Sequence, residues 1–147
     1  MAKKQLEITT ETHYIPETAQ NEHQLQCNCV RRLRAHNFIV SCNDVFNAIS
    51  FIPDIKRKAI YKRHIINMGG EVGFPDTTIL DRCGKTTFVE YKYGKTGKLS
   101  PEQIACHNKL RSLGHTVLVW RTENECYEWI LNRLKEIKEE LGNGSEI

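Results

Sequence analysis

Residues 73–92 read Gly73-Phe74-Pro75-Asp76-Thr77-Thr78-Ile79-Leu80-Asp81-Arg82-Cys83-Gly84-Lys85-Thr86-Thr87-Phe88-Val89-Glu90-Tyr91-Lys92, and this stretch decides the fold. Thr77 to Cys83 and Thr86 to Lys92 are rich in Thr, Ile, Val, Phe and Tyr, and Gly84-Lys85 between them has the composition of a tight turn. Two antiparallel strands are predicted. Asp76 opens the first arm and Glu90 lies near the end of the second, so pairing brings them together. Period-2 alternation places Glu90 and Lys92 on one face and Tyr91 on the other. Two carboxylates and an ammonium then converge. Hard divalent cations prefer oxygen ligands, and magnesium usually takes one or two carboxylates plus substrate phosphate oxygens while keeping several waters. A lysine beside such an ion can hold or deprotonate an attacking water and offset charge building on a phosphoryl group. Glu-x-Lys alone is a common surface pair. The preceding Gly-x-Pro-Asp raises it to a candidate site for phosphodiester hydrolysis.

The residues that follow extend the pattern: Gly97-Lys98-Leu99-Ser100-Pro101-Glu102-Gln103, Leu110, Gly114 and an apolar run from Thr116 to Trp120. Over about residues 69 to 130 the chain resembles the PD-(D/E)xK nucleases and, within them, the VRR-NUC (virus-type replication-repair nuclease) domain. That resemblance implies a restriction-endonuclease-like α/β fold, with a mixed β-sheet flanked by helices. It implies Asp76 and Glu90 as metal ligands, the Tyr91 main-chain carbonyl as a third, and Lys92 as the catalytic lysine. Mg2+ or Mn2+ would be the metal, with no organic cofactor. Stand-alone members resemble junction resolvases: they form homodimers and cut branched DNA such as four-way junctions, often in phage or phage-derived genomes and in DNA repair.

Gln103 has two readings. Ser100-Pro101-Glu102-Gln103 is a good helix start, with Ser at the N-cap, Pro at the first helical position and Gln at the third, so a capping box accounts for it. The resemblance makes it a site residue that orients the lysine or a water. His107, four residues on, shares its helical face. It either approaches the scissile phosphate or is a surface or subunit-contact histidine, and the second reading is preferred. Upstream, Glu17 to Arg34 reads as a helix with Leu25, Cys29 and Leu33 in an apolar stripe and Asn37 as a stop. Glu22 resembles the glutamate that VRR-NUC proteins place at the edge of the metal site, and the resemblance implies that it helps Asp76 and Glu90 hold the metal. Its alternative is a solvated first-turn glutamate favoured by the helix dipole.

The chain has 147 residues, enough for one compact domain with a real core, expected over residues 16–141 between polar tails at 1–15 and 142–147. No apolar run is long enough to span a bilayer, and Met1-Ala2-Lys3-Lys4-Gln5 begins no export signal, so a cytoplasmic protein without membrane partners is expected. The six cysteines are then expected to stay reduced and act as small buried hydrophobes. Cys27 and Cys29 are two apart on a predicted helix, roughly 200° around its axis, and cannot share an ion. The net charge of +3 says little about partners, but its distribution says more. Lys56-Arg57-Lys58 and Lys62-Arg63 precede the Pro-Asp turn, and Lys95 and Lys98 follow Lys92. Such a rim suits the phosphates of DNA, whereas a solvated helix face is the plainer reading of residues 54–66.

The remaining elements complete an α/β order. Phe38 to Cys42 is a predicted strand, and Asn43 to Pro53 has no clear assignment. Thr116 to Trp120 reads as an interior strand buried on both faces. Thr122-Glu123-Asn124-Glu125 is a capping box opening a helix with Tyr127, Ile130, Leu134, Ile137 and Leu141 on one stripe. A non-catalytic DNA-binding module of the same fold is the principal alternative to a nuclease.

Overall fold

The predicted hairpin forms, and the rest of the molecule is assembled around its second strand. In a computed structural model, which describes residues 14–142, the order is α1 (Glu22–Ala35), β1 (Ile39–Cys42), a 3-10 turn (Asn47–Phe51), α2 (Ile55–Asn67), β2 (Thr77–Leu80), β3 (Thr86–Tyr91), α3 (Pro101–Ser112), β4 (Thr116–Trp120) and α4 (Glu123–Gly142). The four strands lie in the order β1-β2-β3-β4, antiparallel except for the parallel β3/β4 pair. Parallel neighbours need a crossover, and α3 supplies it. This mixed sheet with flanking helices is a restriction-endonuclease-like α/β fold.

The two faces of the sheet follow from alternation along β3. Val89 and Tyr91 point to one side, where Leu25, Cys29 and Leu33 of α1 and Cys126, Ile130 and Ile137 of α4 close over them with Val40, Ile79 and Trp120. The Tyr91 hydroxyl lies 3.2 Å from the Thr77 Oγ1, so its one polar atom is satisfied inside the core. Phe88 and Glu90 point to the other side, toward α3, where the Phe88 ring meets Phe74 and His115 edge-on. β3 is therefore the strand buried on both faces. β4, expected in the interior, pairs only with β3 and is an edge strand, with Val117 and Trp120 buried but Leu118 and Val119 half-covered. Trp129 packs against Trp120 with ring centroids 5.6 Å apart.

Several local expectations shift. The hairpin turn is longer than Gly84-Lys85, because the Asp81 carboxylate accepts the N–H groups of Cys83 and Lys85 and is itself clamped by Arg133 Nε at 2.7 Å. The first helix starts at Glu22, not Glu17, with Asn21 as its cap, and Asn37 ends it in the left-handed region. Glu17 instead lies in an extended arm, where its carboxylate accepts the N–H groups of Glu123 and Asn124 and caps α4. Glu123, buried, in return accepts the N–H groups of Thr18 and Ala19. Ile15 N–H reaches the Asn124 side chain, so the polar-tail expectation stops short of it. Residues 1–13 and 143–147 of the expected tails lie outside the described residues.

Cys29, Cys106 and Cys126 are buried as expected, but Cys27 and Cys42 are exposed. The first pair lies on opposite sides of α1, as the helix geometry requires. Ile130 and Ile137 of the predicted α4 stripe are buried, whereas Leu141 is exposed. The unassigned segment 43–53 holds the 3-10 turn, and Asp54 is the cap of α2, its side chain accepting from Lys56 N–H and Arg57 N–H. No residue of α2 is buried. No helix among the described residues is long and apolar enough to cross a membrane.

Candidate active site

The site is built where the β2 entry and the β3 exit meet. Thr77 pairs with Val89, so Asp76 sits beside Glu90, one step beyond the last paired residues. Asp76 is held in place from two directions: its Oδ2 accepts the Tyr91 N–H at 2.8 Å, and its carbonyl accepts the Asn43 N–H at 2.7 Å. The Asn43 side chain donates again to the Pro75 carbonyl at 3.1 Å and to Thr78 Oγ1 at 2.8 Å. Asn43 thus staples the Pro-Asp turn to β1. Sequence reasoning missed it, since a lone Asn in an unassigned loop carries no pattern of its own.

Gly73 fixes the turn from the other side. Its φ of +79° is in the left-handed region, and a Cβ there would run into the main chain of Glu102 and Gln103. Only glycine lets the Pro-Asp loop lie directly on the first turn of α3.

That first turn carries Gln103. The capping box forms, with the Gln103 Oε1 accepting the Ser100 N–H at 2.8 Å, while its Nε2 donates to Glu90 Oε1 at 2.7 Å. Its partner is the glutamate, not the lysine. Lys92 Nζ lies 3.6 Å from Glu90 Oε1 and 3.9 Å from Glu22 Oε1. Glu22 therefore stands at the rim, paired with Lys92. No three of the His, Cys, Asp and Glu side chains among the described residues close on one metal position.

Glu90 is the buried centre of this arrangement. It is 1% exposed, and its Oε2 has no hydrogen-bond partner. Burial, reinforced by the Asp76 charge and opposed by Lys92, pushes its carboxyl up to about 8. Burial likewise raises Asp76, against the Tyr91 N–H that favours its charged form. Two carboxyls starved of positive charge, one with a buried oxygen left unpaired, fit a divalent cation. The set also matches the one or two carboxylates that magnesium takes alongside waters and phosphate oxygens.

His107 departs from expectation. It is not a surface histidine: it is 1% exposed, with Nε2 3.5 Å from Glu90 Oε2 and neither ring nitrogen hydrogen-bonded. Burial, with Arg111 and Lys92 nearby, lowers its pKa and keeps the ring neutral.

A cleft of about 420 Å³ is lined by Asp76 and Gln103 together with Ser50, Glu71 and Lys62 of α2. Lys56, Arg57, Lys58 and Arg63 share α2 with Lys62, and the helix carries no acidic residue. Lys95 and Lys98 are exposed in the loop after Lys92, which Arg121 Nη1 secures by donating to the carbonyls of Gly94 and Gly97. The structure thus joins Asp76, Glu90, Lys92, Gln103 and Glu22 in one place, with Lys62 lining the adjoining cleft, whereas Arg57 lines a separate groove beside Phe51 and Ile60.

The fold and this carboxylate-lysine constellation define the class as the restriction-endonuclease-like α/β proteins. More particularly, the fold is that of a VRR-NUC domain. A solved structure described as "VRR_NUC domain" is similar over 76% of this chain and 96% of that one, with a TM-score of 0.54 and 21% sequence identity. No protein-family model and no curated protein matches the sequence.

Proposed function

We propose that the chain is a divalent-metal-dependent endonuclease that hydrolyses DNA phosphodiester bonds, selective for branched DNA such as four-way junctions and acting as a homodimer. The observation that carries this reading is Glu90: a fully buried carboxyl beside Asp76, oriented at one oxygen by Gln103 and Lys92 and unpaired at the other. A VRR-NUC fold in the solved structure supports it. Asp76, Glu90 and the Tyr91 main-chain carbonyl would hold Mg2+ or Mn2+, which when bound supplies Lewis-acid activation of water and neutralises phosphate charge.

The chain's own residues do the rest. Gln103 keeps the Glu90 carboxylate from rotating. Lys92, anchored between Glu90 and Glu22, presents its ammonium to the attacking water and to charge accumulating on the phosphoryl oxygens. Lys62 across the cleft, the rest of the α2 cations, and Lys95 and Lys98 hold the DNA backbone. Branch selectivity and dimerisation come from the family resemblance, and the exposed apolar side chains around α2 favour the dimer.

The test is cleavage of labelled four-way junction, flap, linear duplex, single-stranded DNA and RNA with Mg2+ or Mn2+, comparing wild type with Asp76→Ala and Lys92→Ala. Symmetrical junction cuts that disappear with chelator and in both variants are expected. Salt-sensitive DNA binding with no cleavage of any substrate would instead establish a non-catalytic binding module.

A further inference from the structure

We propose that His107 is a positioning residue for Glu90: its Nε2–H faces Glu90 Oε2 and, with Gln103 on Oε1, fixes the carboxylate plane for metal binding. The inference rests on the metal-site reading above. Its geometry is independent of that reading. Glu90 and His107 are both 1% exposed and 3.5 Å apart, and each presents to the other a polar atom with no other partner. A buried polar atom left unpaired is costly, and these two lie a few tenths of an ångström beyond an ordinary hydrogen bond from one another.

The arrangement has a second support. A carboxylate offers about four lone-pair positions. Gln103 Nε2 and Lys92 approach Oε1, so all of the protein's donors there act on one oxygen. Oε2 keeps lone pairs for a cation and for one further donor, and His107 is the neighbour placed to supply it. Ligating carboxylates are commonly oriented by such outer hydrogen bonds, whose loss costs 10–100-fold in metal affinity. Gln103 and His107 stand four apart on α3, one turn, so a single rigid helix presents both donors to the two oxygens of one side chain.

The experiment uses the full chain and Mn2+ alone, titrated by calorimetry, with thermal unfolding run on each variant. His107→Leu, which fills the space without a donor, is expected to weaken Mn2+ binding about 10- to 100-fold. His107→Gln, which restores an N–H near the same point, should recover most of it. In the wild type saturated with Mg2+, where Glu90 is ionised, ring nitrogen chemical shifts should show the Nε2–H tautomer. Folded His107→Leu with wild-type Mn2+ affinity, or an Nδ1–H tautomer in the Mg2+-saturated wild type, would overturn the assignment while leaving the metal site intact. If His107→Leu does not fold, the tautomer and the Gln variant decide. Wild-type protein that binds Mn2+ no better than Asp76→Ala would remove the metal-site reading itself, and this inference with it.

Discussion

Glu90, the proposed metal ligand, sits in surroundings that oppose its charge. In the unfolded chain its carboxyl titrates near 4.5, and in the folded, metal-free protein it holds its proton up to about 8. Between those values the folded state carries the extra proton. The contribution of Glu90 to the stability of the metal-free protein is therefore fully present below about pH 4.5 and is lost as pH rises toward 8, by on the order of a few kcal/mol, while carboxyls held low, such as Asp81 and Glu123, act in the opposite direction at acid pH. Metal binding must displace that proton, so Mn2+ affinity should rise by up to tenfold per pH unit to about pH 8 and then level off. Calorimetric titrations at pH 6, 7, 8 and 9 check this; a flat profile would mean that Glu90 is already ionised.

Gly73 makes a second prediction at the same scale. Gly73→Ala places a methyl group against the main chain of Glu102 and Gln103 and strains a positive φ, so it should lower thermal stability by more than 1 kcal/mol. It should also weaken Mn2+ binding, by parting the Asp76 loop from the Gln103 turn. Asp76, Glu90 and Lys92 were legible in the sequence because hairpin register and two-fold alternation are local geometry. The burial of His107 was not, since it depends on α3 crossing from β3 to β4 and lying over the sheet face that Glu90 occupies.

Among the elements, α2 stands apart. Every other helix buries at least two side chains, whereas α2 buries none and makes its helix-level contacts with the adjoining 3-10 turn. A 13-residue helix is marginal alone, and Asp54 at its cap provides part of what core packing does elsewhere. Its basic residues therefore have no part in the core. Replacing Lys56, Arg57, Lys62 and Arg63 with Gln should weaken DNA binding and flatten the plot of log affinity against log salt by up to about 0.9 per lost phosphate contact. The thermal midpoint should stay unchanged. A salt slope equal to wild type would assign DNA contact to another surface.

The sequence marked this helix through its charge run, but not its isolation. A helical stripe says which side chains share a face and is silent on whether anything lies opposite. The same gap explains β4. Alternation identifies an apolar strand, while its position at the sheet edge is set by the order in which distant strands pair.

On the scale of the whole molecule, the apolar surface is concentrated around α2. Phe51, Ile55, Ile60 and Met68 are 85%, 82%, 70% and 75% exposed, more than an isolated domain needs to leave in water. With the proposed homodimer in mind, sedimentation should find two chains per particle, and Phe51→Asp with Ile60→Asp should yield a monomer of unchanged thermal stability. A monomeric wild type would remove the dimer from the proposal. The overall α/β plan was legible because each strand and helix carries its own periodicity. The extended arm at Glu17 was not, because a carboxylate capping a helix more than one hundred residues away has no local signature. The segment from Asn43 to Pro75 leaves and rejoins the sheet between residues that are themselves paired, Cys42 and Thr77, and its helix contributes nothing to the core. It is a cassette closed at its base: residues 44–72 can be exchanged as one contiguous segment while Asn43, Gly73 and the strand that carries Glu90 stay in place.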